Sequence, residues 1–177
     1  MNYKTEQENF WAGEFGDDYF TRNQSTEQIA SALNFFSNCF QRIEKPNSLI
    51  EFGANVGVNL KAIKLLFPKI EISAIEINKS AAIKLSQTIN LQNIFNQSIL
   101  DFNSNEKYDI VVIKGVLIHI NPDMLNEAYE KLYSTSNKYI LIAEYYNPIP
   151  VSINYRGNQE KLFKRDFAAE IMNKYSD

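Results

Sequence analysis

The chain of 177 residues is 45% hydrophobic and 13% aromatic, enough for one core in one domain; its 12 Phe and 10 Tyr against 6 Gly and 5 Pro exclude collagen-like, low-complexity and disordered chains. A formal net charge of −3 and a pI of about 5.3 supply no basic field for a phosphate backbone, which turns the expectation from nucleic acid toward a small-molecule partner. One cysteine and one histidine exclude an internal disulfide and a zinc cluster, and the N-terminus has no basic, then apolar leader; no apolar run approaches the roughly 18 residues of a membrane span, so a cytoplasmic protein without membrane contact is expected.

Read in chain order, Asn9 to Asn23 is aromatic and glycine-containing, and Thr26 to Phe40 carries Ile29, Leu33, Phe36 and Phe40 at helical spacing. Residues 1–45 are therefore expected to form a helical cover, with Trp11, Phe15 and Tyr19 at helical spacing as either a core stripe or a lid. Cys39, beside Phe40, is expected to pack as a small hydrophobe. Residues 46–177 then alternate short apolar runs with helical patterns. Ser48 to Phe52 reads as a strand ended by Gly53, with Val56, Leu60, Ile63 and Phe67 on one helix face after it. Ile70 to Ile75 is a second strand, Ser80 to Ile89 a helix, Ile94-Phe95 a weak third strand and Tyr108 to Ile113 a β-branched fourth. Asn121-Pro122-Asp123 is a helix start for a segment to about Tyr133, and Lys138 to Ala143 is a fifth strand. Tyr145 to Gly157 is expected as a long irregular loop, and Leu162 to Tyr175 as a terminal helix through Leu162, Asp166, Ala169 and Asn173. This alternation predicts an α/β fold of three layers: parallel strands, right-handed crossovers and helices on both faces.

The chemistry concentrates where the first strand meets its helix, in Glu51-Phe52-Gly53-Ala54-Asn55-Val56-Gly57. Open α/β sheets bind nucleotides at such carboxyl strand ends. Gly53 permits a tight turn, Gly57 permits close approach of backbone, and Asn55, in place of the middle glycine of a G-x-G-x-G pattern, tolerates positive φ better than most residues. A carboxylate at Glu51 suits an ammonium group and disfavours phosphate. Glu76, at the end of the second strand, is placed to hold two ribose hydroxyls. Two acids and a glycine turn suit S-adenosylmethionine better than a nicotinamide dinucleotide.

The glycine turn, Glu76 and the stretch Asp109 to Ile120 (DIVVIKGVLIHI) resemble the class I S-adenosylmethionine-dependent methyltransferases. More narrowly, Phe10 to Tyr19 (FWAGEFGDDY), Ala143 to Pro148 (AEYYNP), Tyr155-Arg156-Gly157 and Leu162 to Ala168 (LFKRDFA) resemble the pseudaminic acid biosynthesis-associated methylases. That resemblance implies a Rossmann-like core with strand order 3-2-1-4-5, S-adenosylmethionine as cofactor, and a small nonulosonic (sialic-acid-like) sugar or its precursor as acceptor. It carries Glu51, Gly53, Asn55, Gly57 and Glu76 over as cofactor-binding residues, Ser98 as the residue near adenine, and Lys114, Gly115 and Val116 as the turn beside the methionine portion. Other acceptors, a non-catalytic cofactor-binding role and a nucleotide-binding oxidoreductase stay open.

For a hydroxyl acceptor, His119 is the one histidine that can titrate near neutrality and is a candidate general base, with a core histidine as the competing reading. Tyr145 is a second catalytic candidate; Tyr146, Asn147, Tyr155 and Arg156 are candidate acceptor contacts, Arg156 for a sugar carboxylate or phosphate. Lys164 and Arg165 read equally as a solvated helix face. The family usually adds two strands after the fifth, so a chain ending in a helix at that point predicts either a truncated piece or an exposed fifth-strand edge in need of cover.

Overall fold

The computed structural model describes residues 3–21 and 25–175, so the end of the Asn9 to Asn23 segment lies outside the described residues. Five parallel strands, β1 (Ser48–Phe52), β2 (Glu71–Ile75), β3 (Ile94–Phe95), β4 (Tyr108–Lys114) and β5 (Ser136–Ala143), form one sheet in the order β3-β2-β1-β4-β5. Helices α4 (Val58–Leu66), α5 (Lys79–Leu85) and α6 (Leu125–Thr135) connect them, giving the Rossmann-like order expected. Near-continuous apolar strands are buried on both faces, which is what a parallel sheet requires. Alternate residues divide between two cores: Ile50, Phe52, Val111 and Ile113 face Tyr129 and Leu132 of α6. Leu49, Ile72, Ile110 and Val112 face Phe36 and Phe40 of α3 (Thr26–Phe40), Leu60 and Ile63 of α4, and Leu85 of α5. Cys39 is half-buried against this second core.

Helix α3 starts at a capping box between Ser25 and Gln28 and lies against α4. The more N-terminal α1 (Glu6–Ala12) and α2 (Glu14–Thr21) meet at a corner where a Cβ on Gly16 would lie 2.0 Å from the Trp11 carbonyl oxygen. The Trp11, Phe15 and Tyr19 spacing thus crosses a helix break, although Trp11 remains edge-on to both other rings at 5.3 and 5.2 Å. Asn78 Nδ2 donates to Asp17 Oδ1 at 3.0 Å and Lys4 Nζ pairs with Asp101 at 2.9 Å, which fasten this cover to the strand ends. An exposed pair such as the latter contributes at most about 1 kcal/mol, less than the roughly 1.5–3 kcal/mol of burying one large apolar side chain; packing holds the cover more than charge does.

After β5 the structure corrects the sequence expectation. The segment read as an irregular loop contains β6 (Val151–Tyr155), and the start of the expected terminal helix is β7 (Asn158–Lys164), an antiparallel hairpin. Tyr155 pairs with Asn158 across a two-residue turn in which Arg156 and Gly157 both have positive φ, 49° and 87°. Such a turn matches the right-handed twist of the flanking strands. The terminal helix α7 (Phe167–Lys174) begins only after Asp166 caps it through Ala169 N–H at 3.0 Å. The hairpin forms its own two-stranded sheet and packs on the 3-10 turn Leu117–His119, leaving the outer edge of β5 without a strand partner among the described residues.

Candidate functional site

A cavity of about 440 Å³ opens at the carboxyl ends of β1, β2 and β4, beneath α1 and α3. Its sheet side is the glycine turn. Gly53, Asn55 and Gly57 all have positive φ, at 77°, 49° and 79°; the asparagine takes the left-handed conformation expected of it. A Cβ on Gly53 would meet Val116 Cγ2 at 2.5 Å, and one on Gly57 would meet Leu85 Cδ1 at 2.6 Å. Gly53 lines the cavity, whereas Gly57 serves the close packing of α4 on α5.

The backbone donors of this turn are spent inside the protein. Gly53 and Ala54 N–H donate to the Ile75 carbonyl at 2.9 and 3.0 Å, and Gly57 N–H donates to the Ala54 carbonyl at 2.9 Å. Asn55 N–H donates to Glu76 Oε2 at 2.6 Å, and Val56 N–H to Asn55 Oδ1 at 2.7 Å. Glu76 Oε1 also accepts the Asn78 N–H at 2.7 Å. Burial pushes the Glu76 carboxyl up to about 7 despite these backbone donors. With four lone-pair sites on its two oxygens, this cavity-lining carboxylate retains acceptor capacity for hydroxyl groups.

Glu51 lies one layer deeper. Its Oε1 accepts Asn59 Nδ2–H at 2.6 Å, while its Oε2 is buried with no hydrogen-bond partner. Burial pushes its carboxyl up to about 8, opposed by Asn59 and by the Lys114 charge. Lys114 and Gly115 sit at the exposed mouth of the cavity, and the space around Gly115 (φ 68°) is open. Val116 and Leu117 N–H both donate to Glu144 Oε1, at 2.9 and 3.0 Å, so the acid that follows β5 holds this turn in shape. Burial pushes the Glu144 carboxyl up to about 7.

On the cover side, the Ser98 hydroxyl donates to Glu8 of α1, which also accepts the Lys4 and Thr5 N–H groups. His119 lines the cavity from the 3-10 turn, 4.5 Å from the Trp11 ring and 4.9 Å from Tyr155. Its Nδ1–H donates to the Lys161 carbonyl at 2.6 Å; a carbonyl can only accept, so Nε2 carries the free lone pair. Burial lowers its pKa to about 4, so the ring is neutral at physiological pH.

Of the residues singled out from sequence, Gly53, Asn55, Glu76, Ser98, Lys114, Gly115, Val116 and His119 line one cavity. Tyr155 touches it through the His119 ring. Tyr145, Tyr146, Asn147 and Arg156 are not brought to it: both tyrosines face solvent as the chain leaves β5, with Tyr145 under Lys164 Nζ at 5.3 Å, and Asn147 bonds the Ile149 carbonyl. Arg156 stands exposed on the hairpin turn, 6.0 Å from the Tyr155 ring. Sequence reasoning missed Gln7, Glu8, Asn59 and Glu144. Only Glu144, an acid directly after a buried strand, has a local signal.

No protein-family model matches the sequence, and no curated protein matches it. Among solved structures, it is similar to an O-methyltransferase from a trans-AT polyketide synthase multienzyme of Brevibacillus brevis in complex with S-adenosyl-L-homocysteine. The TM-score is 0.61 at 21% identity over 81% of this chain and 51% of that one. It is similar to a sugar N-methyltransferase of Streptoalloteichus (TM-score 0.58, 12% identity, 89% of this chain and 65% of that one). A third is the protein DhpI in complex with S-adenosylhomocysteine (TM-score 0.59, 14% identity, 96% and 82%). The chain spans about half the length of the first and just under two thirds of the second. At these identities the likeness shows the fold alone: a Rossmann-like α/β architecture.

Proposed function

We propose that this chain is an S-adenosylmethionine-dependent methyltransferase whose acceptor is a small polar molecule, a nonulosonic-type sugar or its precursor. The observation that carries the cofactor is the inward bonding of all five backbone donors from Gly53 to Gly57, beside two buried acids. A pyrophosphate cradle needs such donors free; a sulfonium cofactor with an amino group and an unesterified ribose needs acids instead. The orphaned Glu51 Oε2, the remaining lone pairs of Glu76 and a cavity within the usual range for such ligands fit it. Several solved neighbours contain S-adenosylhomocysteine, one is a sugar methyltransferase, and the FWAGEFGDDY and AEYYNP segments resemble the nonulosonic methylases.

In this reading Glu76 holds the ribose hydroxyls, Ser98 stands near adenine, and Glu51 with Asn59 meets the amino end. Gly53, Asn55 and Gly57 shape the turn, and Lys114, Gly115 and Val116 border the methionine portion. When bound, S-adenosylmethionine supplies a methyl carbon on a positively charged sulfur, to which an acceptor lone pair bonds as the carbon–sulfur bond breaks and its electron pair returns to sulfur. His119 Nε2, neutral and unprotonated, takes the acceptor's proton. Its weak basicity suits a proton that becomes acidic as the bond forms, and most of the rate comes from holding the acceptor in line under α1 and excluding water. The protein incubated with methyl-labelled S-adenosylmethionine is expected to label a nonulosonic sugar or its nucleotide-linked form. Label transfer to none of them, with labelling of an unrelated small molecule, would remove the sugar and keep the methyltransferase.

A further inference from the structure

We propose that Gln7 and Trp11 of α1 are the hydrogen-bonding partners of the acceptor, selecting a neutral polyhydroxy or acylamino edge. The inference rests on the methyltransferase reading of the cavity. Gln7 and Trp11 are four residues apart on one helix, so they share a face, and both line the cavity. Gln7 is only 5% exposed. Its Nε2–H donates to the Glu160 carbonyl of the hairpin at 3.0 Å, an acceptor-only group, which fixes the amide with Oε1 as the remaining end. That Oε1 is buried without a partner, and so is Trp11 Nε1.

Buried polar atoms are nearly always paired in native proteins, and each one left unpaired is costly. Here the residues that carry one unpartnered acceptor and one unpartnered donor line the same cavity as His119, whose ring stands 4.5 Å from that of Trp11. An acceptor molecule that offers a hydroxyl or amide N–H to Gln7 and an oxygen to Trp11 satisfies both. An apolar one satisfies neither. Neither side chain is charged, and the neighbouring Lys161 is already paired with Glu6 at 3.0 Å, so a neutral edge is read at this wall. The Trp11 and Tyr19 rings, both on the cavity lining, supply the flat apolar surface that the carbon face of a sugar ring packs against.

Trp11 is the only tryptophan, so its indole N–H gives a single reporter in a proton–nitrogen correlation spectrum. The protein loaded with S-adenosylhomocysteine is titrated with N-acetylneuraminate. The indole proton is expected to move downfield with saturation, as the group gains an acceptor. A Gln7→Met variant should bind the sugar roughly tenfold more weakly, with its S-adenosylhomocysteine affinity within about twofold of wild type. An indole signal unmoved in the sugar-bound protein, wild-type sugar affinity in Gln7→Met, or no sugar binding by the loaded wild type would each overturn the proposal. Should the variant fail to fold, the wild-type indole shift decides alone. Failure of the wild type to bind S-adenosylhomocysteine would instead strike the reading on which the proposal rests.

Discussion

The two walls of the cavity are built on opposite terms. The sheet wall, built on the turn from Gly53 to Gly57 with Glu76 on its surface and Glu51 one layer behind, has every backbone donor bonded inward and keeps its unused capacity on carboxylates. The cover wall, from α1 and the hairpin behind His119, keeps its unused capacity on neutral groups: Gln7 Oε1, Trp11 Nε1 and His119 Nε2. The proposed function therefore sets a cationic ligand against the first wall and an uncharged polar ligand against the second. One wall is carried by buried parallel strands, the other by short elements pinned through Gln7 to Glu160 and Lys161 to Glu6.

Substitutions should separate these walls. On the cover side, His119→Ala is expected to lower turnover of a hydroxyl acceptor by roughly 10²- to 10⁴-fold, the usual contribution of a general base, with cofactor affinity unchanged. Steady-state rates beside calorimetry would check this, and a parallel loss of cofactor affinity would show that the walls are not independent. On the sheet side, Glu76→Ala should weaken S-adenosylhomocysteine by about 1–3 kcal/mol, roughly tenfold or more, through the lost acceptor for ribose.

Gly53→Ala sharpens the sheet wall further. It forces an L-residue to φ 77° and brings a Cβ to 2.5 Å from the stiff Val116 side chain, so chemical denaturation should show a loss of roughly 1–3 kcal/mol. Gly115→Ala, at φ 68° with nothing within 4 Å, should cost less, since only backbone strain of about 1–2 kcal/mol remains.

The smallest effect is a pH dependence. The raised carboxyl pKa values of Glu51 (about 8) and Glu76 (about 7) mean that the folded protein binds these protons more tightly than the unfolded chain does. Their linkage is therefore fully favourable below about 4.5 and is lost as pH rises through 7 and 8. His119, lowered to about 4, acts in the opposite direction and contributes stability that is lost as pH falls from about 6.5 toward 4. A cationic amino end favours ionised Glu51, so S-adenosylhomocysteine should bind more tightly from pH 6.5 to 8. The trend should be shallower for methylthioadenosine, which lacks the amino acid, and for Glu51→Gln. An equal slope for both ligands would move the amino end away from Glu51.

The contrast also explains what could be read from sequence. The sheet wall was legible because its signals are local: a β-branched run, a glycine where φ must be positive, an acid at a strand end. The hairpin was not, because Val151 to Asn154 are exposed, Asn158 to Lys164 passes from exposed to buried without alternating, and Leu162, Phe163, Asp166 and Phe167 also fit a helical stripe. Arg156-Gly157 was the missed turn signal. Gln7 and Glu8 read locally as an ordinary solvated first turn. Only the docking of α1 over the strand ends buries them, and no pattern within α1 encodes that. Tyr145 and Tyr146 were placed correctly at the end of β5, but the residue that turns inward there is Glu144.

In the proposed function, a wall with its backbone donors consumed and unused acceptor capacity left on its acids selects a sulfonium nucleoside over a dinucleotide. Calorimetric titration of the protein with S-adenosylhomocysteine and, separately, with NAD tests it most directly. Saturable binding of S-adenosylhomocysteine, weakened in Glu76→Ala, with no binding of NAD is the predicted result; binding of NAD without binding of S-adenosylhomocysteine would contradict it.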